Sequence, residues 1–174
     1  HKRINKNIVN KKKNEQSTTL FKSISLVILA ILRIMKSNKA KHYSNKGYVV
    51  LVDRWPTLEL GKMDGPKINS SNKSNFLVKF LSKFEKKIYK AMPSADICFF
   101  LEVSVDTAIK RNSMRIKDDK ETESEIRERH MQNKGIRPIT KKIIRFDNNG
   151  LFEEKKKELL LLVRNELANI NIDQ

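Results

Sequence analysis

The chain has 174 residues, 39% of them apolar and 33% charged, with a net charge of +17 and a pI near 10.0. This is about one domain's length, with apolar side chains enough for a core and no need of disulfide staples. One cysteine, Cys98, inside the apolar run Ile97-Cys-Phe-Phe-Leu101, and three scattered histidines exclude a disulfide framework and a thiolate or histidine metal cage.

The positive charge calls for an anionic partner such as nucleotide phosphate, nucleic acid or an acidic membrane surface. The 27 lysines against 10 arginines, with abundant Asn and Ile, are also what AT-rich coding gives without any binding role. Residues 1–19 read as a basic, flexible lead-in containing Lys11-Lys12-Lys13. Residues 20–174 read as the folded part. Phe21, Ile24, Ile28, Ile31 and Met35 fall at helical spacing within a helix over about 20–41, expected to lie in the core. Its apolar stretch, residues 24–35, contains Arg33 and falls short of the roughly 20 residues a membrane-spanning helix needs. No membrane partner is therefore expected.

Gly47 opens the next run, and the five apolar residues 48–52 predict an inner parallel strand buried on both faces. Pro56 closes that strand, and residues 56–75, with Gly61, Gly65, Pro66 and a Ser/Asn cluster, predict a long irregular connection. Leu77, Phe80, Leu81, Phe84 and Ile88 mark an amphipathic helix ending before Pro93. A buried strand follows over 97–103, with Ser104 as N-cap of the next helix. The charged run 117–121 interrupts that helix. Thr122-Glu-Ser-Glu125 has capping-box form, and Gly135 suits the position just past the end of the helix it starts. A short strand over 142–146, the turn Asn148-Asn-Gly150 and a last helix with Phe152, Leu159, Val163 and Leu167 as its buried stripe complete the chain. Strands alternating with helices predict an α/β fold, a parallel sheet with helices on both faces.

In such sheets ligands gather beyond the carboxyl ends of the strands, where Asp53 and Arg54 stand. The pair suits phosphoryl transfer, which asks for cations and one well-placed carboxylate. It equally suits a strand-end ion pair. Arg111 and Arg115 lie one helical turn apart after the second buried strand, and a guanidinium fork matches phosphate oxygens. Arg127 and Arg129 read as a solvated face. Asp64, in Met63-Asp-Gly-Pro66, is either an acid fixed over a cleft or an ordinary turn aspartate.

Together, Gly47-Tyr-Val-Val-Leu-Val-Asp53-Arg54-Trp55, Met63-Asp-Gly-Pro66, Pro93-Ser-Ala-Asp-Ile-Cys-Phe-Phe-Leu-Glu-Val103 and Ala108-Ile-Lys-Arg111 with Arg115 resemble thymidylate kinase and its relatives over about residues 20–168. The resemblance implies a phosphate-loop nucleotide kinase fold with an arginine-rich lid over about 104–135. It implies transfer of the γ-phosphoryl group of ATP, with Mg2+, to a nucleoside monophosphate in the cytoplasm. Asp53 and Arg115 would then be catalytic, Arg54 and Asp64 substrate-binding, and Arg111 and Arg115 phosphate-binding. A nucleotide is the expected partner, no specific nucleic acid is, and a homodimer is allowed.

The sequence departs from that family in having no glycine before Gly47, hence no Gly-x-x-x-x-Gly-Lys-Ser/Thr loop for ATP. The expectation is an N-terminally incomplete domain with little or no turnover by itself. A noncatalytic kinase-like domain and a basic nucleic-acid-binding module are the alternatives.

Overall fold

The computed structural model describes residues 18–72, 74–116 and 120–172. The lead-in expected over residues 1–19 therefore lies outside it, Thr18 and Thr19 apart. Among the described residues the order is α1 (Leu20–Ser44), α2 (Phe76–Lys90), β1 (Ala95–Glu102), α3 (Val105–Met114), α4 (Glu123–Asn133), β2 (Thr140–Asp147) and α5 (Phe152–Ile172). The α/β class expected from the sequence is found, as five helices and a two-stranded parallel sheet. No helix among the described residues is long and apolar enough to cross a membrane. The chain divides into two compact units, the first ending at Ala95 but including Gly135–Ile139, the second formed by the rest from Asp96 onward.

In unit 1, α1 packs against α2. Asn75 caps α2 by accepting the Leu77 N–H at 3.1 Å, which removes one of the orphan donors of the first turn. The core holds Val27, Ala30, Ile68, Val78, Ile88, Tyr89 and Met92, with Leu20, Leu26, Ile34, Leu81 and Ile139 packed around it. Each fully buried aliphatic side chain here contributes about 1.5–3 kcal/mol.

The helices are where periodicity puts them, but the buried face of α1 is not, and that of α2 matches the expectation only at Leu81 and Ile88. The α1 residues expected inside, Phe21, Ile24, Ile28, Ile31 and Met35, are all exposed, Phe21 at 87%. The buried face is Ser23, Val27, Ala30 and Ser37. In α2, Leu77, Phe80 and Phe84 are likewise exposed, while Val78, Ser82, Glu85, Ile88 and Tyr89 are buried. The buried face of α1 is made of small residues, whereas that of α2 mixes Val78, Ile88 and Tyr89 with Ser82 and Glu85, which bond the backbone at Lys67 and Ile68. The larger apolar stripes remain on the outside, with Phe80 and Phe84 stacked on each other.

A second correction concerns residues 48–52, which form no strand. Tyr48, Val49, Val50, Leu51 and Val52 are exposed, Leu51 at 85%. An inner strand needs a neighbour on each edge, and no described segment pairs with this one. The apolar pattern is that of a buried strand, while the ladder that would bury it is missing among the described residues.

In unit 2, β1 and β2 run parallel, with α3 and α4 forming the crossover between them. Lys141 pairs with Asp96 at 2.8 Å, and Arg145 pairs with Glu102 while lying over the Phe100 ring. The expected caps are present. Ser104 accepts the Thr107 N–H at 3.1 Å. Thr122 and Glu125 close a full capping box, and the Thr122 N–H holds the exposed Glu125 carboxyl below its usual pKa. Gly135, with φ 72°, follows the C-cap Lys134, as its freedom to adopt a left-handed backbone allows. Cys98 is half-buried, and burial raises its thiol pKa. Leu159, Val163 and Leu167 form the half-buried stripe of α5, but Phe152 is exposed.

Candidate functional site

The exposed run ends abruptly at Arg54, a non-glycine residue with φ 67°. That left-handed conformation, rare for a residue with a side chain, turns the chain so that Trp55 and Pro56 leave in a new direction. The bend leaves a pocket of about 240 Å³ in unit 1, lined by Arg33, Lys36, Ser37, Val52, Asp53, Arg54, Trp55, Pro56 and Asp64. Two segments expected to carry chemistry, the Asp53-Arg54 pair and the Met63-Asp-Gly-Pro66 turn, therefore meet at one cavity.

Asp64 is the second non-glycine residue with a positive φ, 62°. Its carbonyl accepts the Thr57 N–H at 3.2 Å, and its carboxylate accepts Arg33 Nη2 at 3.1 Å. Gly65 beside it is required for space, since a Cβ there would stand 2.2 Å from the Glu59 carbonyl oxygen. The loop is also tied at its base: Thr57 Oγ1 donates to the Arg137 carbonyl at 2.6 Å, and the Arg137 N–H donates to Glu59 at 2.8 Å.

Arg33 is held at both arms of its fork. Nη1 donates to the Tyr89 hydroxyl at 2.5 Å while Nη2 reaches Asp64. Burial raises the Tyr89 pKa, and the neighbouring Arg33 charge opposes that rise. Asp53 and Arg54 make no hydrogen bond or ion pair with another described residue. The Trp55 Nε1–H is buried and has no acceptor. Leaving a buried donor unpaired costs about 1–3 kcal/mol.

Sequence reasoning did not select Arg33, Lys36, Trp55 or Tyr89 as site residues. The signal for Arg33 was a lone charge inside the apolar run 24–35, where it served only to exclude a membrane span.

The expected lid residues lie in unit 2. Arg111 Nη2 donates to the carbonyls of Asn148 at 2.8 Å and Gly150 at 3.3 Å, so its guanidinium fastens the turn between β2 and α5. Helix α3 stops at Met114, and Arg115 is its C-cap, with ψ 135°. The two arginines therefore do not share a helical face as expected, because the helix ends one residue too early. Arg127 and Arg129 sit on an exposed helix and pair with Asp106 at 3.6 Å and Glu121 at 3.0 Å, in keeping with a solvated face.

Among the described residues no three His, Cys, Asp or Glu side chains converge as metal ligands, so a magnesium ion at the pocket would need oxygens beyond those of Asp53 and Asp64. With no glycine before Gly47, the residues present do not fit a glycine-built cradle for ATP phosphates. Compared with known proteins, the chain matches no family model, no curated protein and no solved structure.

Proposed function

We propose that the unit 1 pocket binds the phosphate group of a nucleoside monophosphate, as the acceptor side of a phosphoryl-transfer site of the thymidylate kinase type. The observation that carries this reading is the lining itself, where Arg33, Lys36 and Arg54 stand around one cavity together with the carboxylates of Asp53 and Asp64. The three cations outnumber the two carboxylates and suit a group with several charged oxygens. At about 240 Å³ the cavity is below the usual range for whole drug-sized ligands and suits a phosphate, with sugar and base at its open side.

Arg54 takes two phosphate oxygens in its fork, while Arg33, already fixed by Tyr89 and Asp64, supplies a cation that need not be ordered on binding. Asp53 lies exposed at the same lining and orients the reacting phosphate oxygen. The order of motifs along the chain supports the same class. The ATP side has no cradle in these residues, so the role assigned to this chain is acceptor binding.

Trp55 is the one tryptophan in the sequence and lines the pocket, so its fluorescence reports on the site directly. Titration with nucleoside monophosphates and with inorganic phosphate is expected to give a saturable change that Arg54→Ala abolishes. A response identical in wild type and Arg54→Ala would defeat the proposal. Steeply salt-dependent binding of duplex DNA, insensitive to changes at Asp53 and Arg54, would favour the nucleic-acid module instead.

A further inference from the structure

We infer that Glu85 is a positioning residue for this pocket, fastening the segment that carries Asp64 and thereby setting where the Arg33 guanidinium stands. The inference rests on reading the pocket as a phosphate site, and it assigns a control point outside the lining.

Glu85 is 1% exposed. An isolated carboxylate at that depth would be strongly unfavourable. Here one oxygen accepts the Lys67 N–H at 3.0 Å and the other accepts the Ile68 N–H at 2.9 Å, two charge-assisted bonds from consecutive backbone amides. Ser82, on the same buried face of α2, donates its Oγ to the Ile68 carbonyl at 3.1 Å. The Ile68 backbone is thus held at both its N–H and its C=O, and its side chain is fully buried in the core. Only two residues, Gly65 and Pro66, separate Asp64 from the first anchored amide, that of Lys67.

Arg33 is therefore fixed to α2 by two routes. One is direct, through the Tyr89 hydroxyl, one turn beyond Glu85. The other runs from the Asp64 carboxylate through the loop to the Glu85 carboxylate. Loosening the second route leaves Arg33 with a single arm held, and its charge free to leave the pocket.

The test uses the whole chain. Glu85→Gln keeps the side-chain volume but removes the charge and turns one acceptor into a donor that faces an N–H. Hydrogen exchange at the Lys67 and Ile68 amides is expected to accelerate at least about tenfold, and inorganic phosphate affinity, read by Trp55 fluorescence, to fall about tenfold, the loss of one charged hydrogen bond. Ser82→Ala should move both readouts the same way by less, and it decides the matter if Glu85→Gln does not fold. Val78→Ala is the control, because it removes apolar burial from the same core without removing any of the hydrogen bonds that hold the loop. It should lower the melting temperature at least as much, yet leave phosphate affinity within about twofold. Equal loss of affinity in Val78→Ala and Glu85→Gln would mean that Glu85 acts through stability, and the inference fails. Unchanged exchange at Lys67 and Ile68 also overturns it. If wild type binds neither phosphate nor nucleotide, the reading of the pocket fails instead. Acrylamide quenching of Trp55 in the two variants then decides whether Glu85 sets the pocket's geometry.

Discussion

Arg54 in unit 1 and Arg111 in unit 2 each follow an apolar run, and their surroundings differ in kind. Arg54 sits in a left-handed conformation at a pocket and has no partner among the described residues. Arg111 grips two carbonyl oxygens of the β2–α5 turn. The chain is rich in cations, and what singles out Arg54 among them is a charge with no partner among the described residues. Unit 2 engages its cations internally, through Arg111, Lys141, Lys142 and Arg145. Unit 1 gathers Arg33, Lys36 and Arg54 around a cavity.

The strongest way to break this comparison is to deform the unit 1 loop. Gly65→Ala would drive a Cβ to 2.2 Å from the Glu59 carbonyl. It should lower stability by about 2–3 kcal/mol in urea unfolding and abolish the Trp55 response to phosphate. Arg54→Ala comes next, with affinity falling by about 1.5–3 kcal/mol while unfolding stability stays within about 0.5 kcal/mol. Arg111→Ala should show the opposite split, a stability loss of about 1–2 kcal/mol with phosphate affinity in unit 1 unchanged. Loss of affinity in Arg111→Ala would sharpen the comparison into evidence for a lid role.

The smallest effect concerns pH. The Asn149 backbone N–H, donating at 3.0 Å, holds the exposed Asp147 carboxyl below its usual pKa, and the Asn149 side chain adds to this. A folded-state pKa below the unfolded value gives stability that is present above the unfolded pKa and lost as pH falls through the folded one. Melting temperature should therefore drop as pH falls below about 4, and Asp147→Asn should remove that part of the slope.

Much of the fold was legible because local chemistry determines it. Ser104, Thr122 with Glu125, and Gly135 act as caps wherever a helix end needs them, and they do so here. The α5 register was readable at Leu159, Val163 and Leu167 for the same reason. The face of α1 was not, and that of α2 only at Leu81 and Ile88. Both helices are apolar on more than one side, and periodicity reveals a stripe without revealing which neighbour takes it. The site was half legible. Asp53, Arg54 and Asp64 stand out by type and spacing, whereas Arg33 and Tyr89 become site residues only when two helices and a loop converge.

The sequence by itself determined the positions of the helices, the caps and the α/β class, since these follow from backbone propensity and short-range hydrogen bonds. Tertiary structure decided that residues 48–52 stay exposed, which faces α1 and α2 bury, and that Arg111 is engaged while Arg54 has no partner among the described residues. Those outcomes depend on partners distant in the chain. A strand is buried only when another strand supplies its ladder, and a guanidinium is available only when no carbonyl has claimed it.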